Sequence, residues 1–438
     1  MMTYRDGTMN MTARWFSAMM IACATVAQAD VRNPIAELGV EWGGLRSALS
    51  ERGVDLHIGY VSETASNVQG GEKELWRYAD QWSIAALFDL QRIFGINGAQ
   101  FQVTVTDRNG RNLSVDAHLG SLQEVQEIYG RGQTWHWTQF SYDQKYLGGR
   151  LDWKIGRLVS GEDFADFLCE FTNLALCGPP PGNIAINYWY NWPVSEWGTR
   201  LKASFSGFGY LQFGAFEFSP RYLLTKNALN LGEPGGSSGV LAPFEIGWRP
   251  RFGDGYDGTY KFGGWYNSSR APDVVENSKG QTLLLDGGQP YIHPGEYGEY
   301  VNFLQRLTAP ASSDPKRGLS AFFNATFADR RTSRLDSQIA AGLLFTGPFA
   351  PRYQDVIGLA VGRTHVNSRV AAAESLFNAS RAGNLPVQAS EYVGEMFYSF
   401  QIAQWLQLRP DVEYVYQPGG NTHTTSDVIV ALRLSVNL

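Results

Sequence analysis

Three short stretches of the chain hold residues that could do chemistry. Cys169 and Cys177 lie in "FLCEFTNLALCGPPPG". Two thiols this close together fit a disulfide in an oxidising compartment, whereas a metal reading would require further ligands and no His or second Cys pair lies nearby. "GGSSG" at 235–239 matches G-x-S-x-G by letter, but that motif presents its serine at a strand–turn–helix elbow, and here it sits among Gly and Pro. "GDGYDG" at 253–258 lacks the glutamate and the length of a calcium loop, so a hairpin turn is expected. The histidines, at 57, 118, 136, 293, 365 and 423, show no zinc spacing. These stretches imply no catalytic residue, metal or cofactor.

A second chemistry lies in charges placed at every other position. In "LQLRPDVEYVY", Leu406, Leu408, Pro410, Val412, Tyr414 and Tyr416 share one face of an extended strand, and Gln407, Arg409, Asp411 and Glu413 share the other. "FEIGWRPRF" opposes Phe244, Ile246, Trp248, Pro250 and Phe252 to Glu245, Gly247, Arg249 and Arg251, and "WGTRLKASF" opposes Trp197, Leu201, Ala203 and Phe205 to Gly198, Arg200, Lys202 and Ser204. Side chains two apart on a strand point into the same space. Lys154, Arg200, Lys202, Glu245, Arg249, Arg251, Lys261, Arg409, Asp411, Glu413 and Arg433 are therefore expected to face one shared aqueous interior.

The elements that would position these charges are strands. High Gly (48 residues), 13% aromatic and 18% charged residues lean towards an all-β chain with many turns. A net charge of -6 argues against a nucleic-acid partner. The first residues read as an export signal over 1–29: Arg14, an apolar run from Trp15 to Val26, and Ala27-Gln28-Ala29 as the cleavage site. Met1 and Met11 are both candidate starts. Cys23 within the run could take a lipid, but Met20 stands where that pattern opens with Leu, which favours removal with the signal.

Past the signal, no stretch reaches the roughly 20 apolar residues of a membrane helix. Sixteen alternating segments do occur, starting near 54, 80, 99, 134, 149, 196, 209, 243, 258, 298, 318, 333, 355, 392, 405 and 427. Tight turns and long connections (64–79, 109–133, 159–195, 220–242, 269–297 and 368–391) mostly alternate. An even strand count and one short-turn rim are the marks of a bacterial outer-membrane barrel, whose strands can cross lipid only if the sheet closes. The expected fold is an all-β transmembrane antiparallel barrel over 54–438. A segment over 30–53 precedes it, with a short helix from Leu45 to Ser50 ended at Gly53. Trp82, Trp135, Trp248 and Trp405 are expected in the interfacial girdles. In "DVIVALRLSVNL" (427–438), Leu432, Leu434, Val436 and Leu438 should face lipid and Arg433 the lumen. The final strand should pair with the first near Val54–Tyr60, so that Arg433→Ala alters only what passes.

These stretches together resemble the carbohydrate-selective porin family of Gram-negative bacteria, the OprB family. The resemblance rests on "WGGLRSALSERGVDL" before strand one, "VQGG" at its outer end, "LGGRLDWKIGRLVSGEDF" across strand five, and "DFLCEFTNLALCG" with the prolines after it. It implies a sixteen-stranded barrel in the outer membrane, seated among lipid and lipopolysaccharide as a monomer or trimer, through which sugars such as glucose diffuse into the periplasm. Many such barrels end in Phe and this chain ends in Leu438, which bears on its recognition by the barrel-assembly machinery.

A sugar offers hydroxyls and apolar C–H faces, so a selective pore needs hydrogen-bonding groups and aromatic faces. The loop 159–195 holds the cysteines, Pro179, Pro180 and Pro181, and "NYWYNW". Folded into the lumen it would form the constriction, with Tyr188, Trp189, Tyr190 or Trp192 as a stacking face; as an external lid it would pack those rings on the wall. Two other functions compete: an anion-preferring or general porin, and a barrel-type outer-membrane enzyme with a serine triad at one rim.

Overall fold

The computed structural model describes residues 42–205, 209–253, 255–309 and 316–438. The export signal, Cys23 and both candidate start methionines lie outside the described residues. Sixteen antiparallel strands make one closed barrel: β1 Val54–Gln69, β2 Trp76–Asp89, β3 Ala99–Gly110, β4 Trp135–Tyr146, β5 Leu151–Leu158, β6 Glu196–Phe205, β7 Gly209–Phe218, β8 Gly239–Trp248, β9 Tyr256–Asn267, β10 Glu296–Arg306, β11 Gly318–Ala328, β12 Leu335–Thr346, β13 Val356–Val366, β14 Ser390–Ala403, β15 Leu406–Tyr416 and β16 Asp427–Asn437. Each pairs with its neighbour in sequence, and β16 returns to β1. Every expected segment start falls within four residues of an observed one. A two-residue strand, Arg251–Phe252, pairs with the start of β9, and an external hairpin joins Ala271–Asn277 to Pro290–His293.

Alternation explains the strands, and lipid explains the alternation. Leu432, Val412, Tyr414, Phe244 and Ile246 are exposed on the outer face, while their neighbours Arg433, Asp411, Glu413 and Glu245 are buried. Trp135, Trp248 and Trp405 are exposed at strand ends, as interfacial girdles require, whereas Trp82 is exposed halfway along β2, because that strand begins four residues earlier than expected. Ahead of β1 a helix, Leu45–Glu51, ends where Arg52 donates to the Leu49 carbonyl (2.9 Å) and Gly53 to that of Ser50 (2.9 Å). Gly53 has φ +88°, a left-handed conformation that glycine adopts without strain.

Three expectations shift. The connection expected over 64–79 shrinks to 70–75, because Thr64–Asn67 continue the ladder with β16 and Trp76–Ala79 the ladder of β2. The final strand meets β1 higher than expected, at Gly59–Gln69, while Val54–Ile58 pair with β2. This is the stagger that closing a tilted sheet demands. The inner wall, finally, is not polar throughout. Phe322, Phe397, Val393, Val415 and Ile429 point inward and pack on loop residues Phe171, Ala175 and Leu176. Phe216, Trp265 and Tyr300 do the same with Phe164, Tyr188 and Trp189. Glycines make room for the rings: a Cβ on Gly358 would stand 2.2 Å from the Phe397 ring.

Leu438 donates its backbone N–H to Ile58 (2.8 Å), and the register locks Asn437 to Gly59. Removing Leu432–Leu438 strips pairing from both β1 and β15 and exposes two strand edges. No heat-modifiable barrel should then appear on gels of outer-membrane fractions; a folded band from the truncated chain refutes this closure argument.

Candidate permeation pathway

The loop 159–195 folds into the barrel, built from short turns that satisfy their own backbone. Ser160–Asp163 forms one helical turn, and Asn173 caps the turn Leu174–Leu176 by accepting from the Ala175 N–H (3.0 Å). Pro181 begins the turn Pro181–Ile184, a position where its missing N–H costs nothing. Cys169 and Cys177 are joined in a disulfide, with Cα atoms 4.1 Å apart.

Several further polar groups of the loop are met by the wall. Glu395 on β14 accepts from the N–H groups of Thr172 (2.7 Å) and Asn173 (2.9 Å), and Glu413 on β15 accepts from the Asn173 amide (2.6 Å). Glu245 on β8 accepts from the Ala165 N–H (2.9 Å), and also from Tyr210, Gln212 and Tyr300. Asn302 on β10 donates to the Ala165 carbonyl (2.8 Å) and Trp265 on β9 to the Tyr188 hydroxyl (3.0 Å). A second inward loop, 111–134, is stitched to the first: Glu127 donates its N–H to Thr172 (2.9 Å) and Leu174 donates to Glu124 (2.9 Å).

Pinned against β8–β15, the loops leave a cavity of about 2120 Å³ that runs largely along the wall from β2 to β7. Its lining carries ten Lys/Arg and eight Asp/Glu, so neither sign dominates. Two arrays stand out. Arg200 lies 2.9 Å from Asp152 and 3.6 Å from both Asp143 and Asp163, and Lys154 lies 3.3 Å from Asp163. Elsewhere Arg433 reaches Glu63 and Glu127, each at 2.8 Å, beside Arg108. Gln81 accepts from Arg108 (2.8 Å) and from the half-buried Trp192 indole (3.1 Å), which sets a lining aromatic next to a guanidinium. In the second loop, burial raises the Glu124 carboxyl above the ordinary carboxylate range and lowers the Arg131 guanidinium.

Of the residues expected in the pore, Lys154, Arg200, Lys202, Arg249, Lys261, Arg433 and Trp192 line this cavity. Lys202 and Arg249 stand over the Tyr210 ring, at 4.3 and 5.3 Å from its centroid, and Lys261 donates to the Asp166 carbonyl (2.5 Å). The others are placed differently. Glu245, Arg409, Asp411 and Glu413 do point inward, but the loop covers them; Arg409, for instance, is held by Glu170 at 2.8 Å. Trp189 is fully buried against Trp265 and Tyr300 because its ring seats the loop on the wall, and Tyr188 and Tyr190 are buried beside it. Arg251 sits on the short-turn rim, 2.7 Å from Asp257, since the chain turns before it can face inward. Arg433 has a structural task as well, so Arg433→Ala would also leave Glu63 without its cation. Ser237 of "GGSSG" is exposed in an irregular connection, without the elbow a nucleophile requires.

Asp143, Asp152 and Asp163 were not singled out from the sequence, nor were Glu63, Glu127, Arg108 and Glu395. Asp152 precedes Lys154 by two and shares its face, so alternation alone could have found it. The loop residues carry no such periodic signal.

Glu395→Gln replaces an acceptor by a donor against buried N–H groups, a penalty of about 1–3 kcal/mol, and single-channel records should show a larger, noisier conductance. Cys169→Ser with Cys177→Ser should likewise change conductance; identical traces from wild type and variant would remove the disulfide from the constriction.

A family model described as "Carbohydrate-selective porin, OprB family" matches residues 73–438. Porin B of Pseudomonas aeruginosa is 38% identical over 408 residues, covering 90% of this chain and 89% of that protein. The putative porin QuiX of Acinetobacter baylyi is 31% identical, covering 91% and 92%. The high-pH structure of Pseudomonas putida OprB superposes with a TM-score of 0.88 at 38% identity, over 91% of this chain and 97% of that one. A closed barrel narrowed by inward loops, together with these matches, places the chain in the carbohydrate-selective porin family, the OprB family.

Proposed function

We propose that the pathway between the loops and β2–β7 passes single sugar units of glucose type across the Gram-negative outer membrane, down their gradient. The observation that carries this reading is a lining of both charge signs that also includes the Trp192 ring. Arg200, Lys154 and their three aspartates offer fixed donors and acceptors close together, and Trp192 offers a face for sugar C–H groups. Balanced charge weakens the pull on ions while leaving hydroxyl groups well served. The whole pathway lies within one chain, so a monomer suffices for passage even where barrels associate. Export by the N-terminal signal and insertion by the barrel-assembly machinery complete the proposed route to the membrane.

One observation favours an anion-preferring channel instead. Among the described residues, Lys202 and Arg249 have no carboxylate within 4.0 Å, and they share only the Tyr210 ring. Reversal potentials across a salt gradient separate the readings, since a sugar pore with balanced charge should show weak ion preference and an anion channel a strong one.

Liposomes holding the protein should swell faster in glucose than in amino acids of matched size. Trp192→Ala, which removes roughly 1 kcal/mol of C–H contact, should cut that preference about fivefold and leave the folded yield unchanged. Equal swelling in both solutes would overturn the sugar reading.

A further inference from the structure

On the long-loop rim, the outward face of β13 ends in charge. Leu359 and Val361 are 52% and 61% exposed on the lipid side, and Gly362 between them and the rim faces the lumen, where a Cβ would lie 3.1 Å from Leu176. Strand alternation therefore turns Arg363 outward, directly above Val361. Its Nε donates to the Ser390 hydroxyl (2.9 Å), and among the described residues no carboxylate lies within 4.0 Å of it. The adjacent turn, 329–334, adds Arg330, Arg331 and Arg334, all exposed. Arg331 is bound by Asp329 (2.8 Å) and stands over the ring of Tyr297, itself outward-facing and 52% exposed. Arg330 pairs with Asp336 (3.1 Å), which also holds His365 (2.6 Å), and Arg334 donates to the Gln388 amide.

Four guanidinium groups thus meet two carboxylates, and the two that lack one, Arg334 and Arg363, are held by neutral groups. Beneath them lies an apolar belt of Tyr297, Phe327, Val361 and Tyr392, 42–61% exposed. Glu299, one outward position below Tyr297, adds a negative charge to this face, and Arg369, whose guanidinium donates to the Arg330 carbonyl, is paired with Asp273 and Glu276. A cationic shelf directly above a lipid-facing belt fits a ligand with apolar chains and anionic groups at headgroup depth, and guanidinium pairs with phosphate through short, charge-assisted bonds.

We propose that this shelf binds the phosphates of lipid A, the phosphorylated glycolipid of the outer leaflet, and so sets the depth of the barrel in that leaflet. The proposal rests on the outer-membrane reading but not on which solute passes. The test titrates the purified full-length protein in detergent with bisphosphorylated lipid A and counts bound lipid by native mass spectrometry. Arg334→Gln with Arg363→Gln should weaken binding roughly tenfold or more, Arg334→Lys with Arg363→Lys should retain most of it, and glucose swelling in phospholipid liposomes should not change in either. Should the Gln pair fail to yield a folded band, Arg334→Gln alone, at an exposed side chain, reads the same effect. Equal binding by wild type and the Gln variant, equal binding of dephosphorylated lipid A, or equal binding of phosphatidylglycerol would each overturn it. Loss of sugar selectivity with lipid A binding intact would count against the permeation reading alone.

Discussion

The barrel interior depends on one interaction: loop N–H groups, taken out of water, donating to carboxylates that project from the wall. A loop inside a protein carries one backbone donor per non-proline residue, and each needs an acceptor. In this chain Glu395 accepts Thr172 and Asn173, and Glu245 accepts Ala165. An ionised carboxylate offers two acceptor oxygens and no donor, so it can take more such bonds than a neutral side chain of the same size. The inward acids of β8, β14 and β15 are therefore better understood as seats for the loop than as ligands for a permeant.

Once the loops are seated, apolar packing becomes possible where a simple water-filled tube would forbid it. Phe322 and Phe397 face the lumen yet are buried, because Phe171 lies across both. Trp189 is wedged against Trp265 in the same manner. Each buried ring removes substantial apolar area from water, so hydrogen bonds orient the loop and rings hold it. What remains open is the wall from β2 to β7, where Arg200 and Lys154 are paired with aspartates and line the space left to solute.

Division of the inner face into a covered half and an open half also bears on the outer surface. The described strands carry exposed apolar residues on their outer face, and charge gathers above part of it. The arginines of 329–334 and Arg363 collect beside one arc of the long-loop rim, over Tyr297 and Tyr392. A pore whose interior constrains solutes and whose rim engages the leaflet divides two tasks between the two faces of the same strands.

The number of strands, their direction and the face that most strand residues take were legible in the sequence, because period-two alternation is local and lipid penalises exceptions. Thus Leu432 could be assigned to lipid and Arg433 to the interior from "ALRLSVNL" alone, and Lys154, Arg200 and Lys202 to a shared lumen. Local pattern could not tell which inward residues meet solute and which meet the loop: Glu413 and Lys154 look alike as strand residues, yet one seats Asn173 and the other lines the channel. Nor could it distinguish Trp189 from Trp192, three apart in one irregular stretch. That choice belongs to the tertiary structure, since it depends on where a loop of irregular backbone comes to rest, and this is set by contacts with strands more than two hundred residues away.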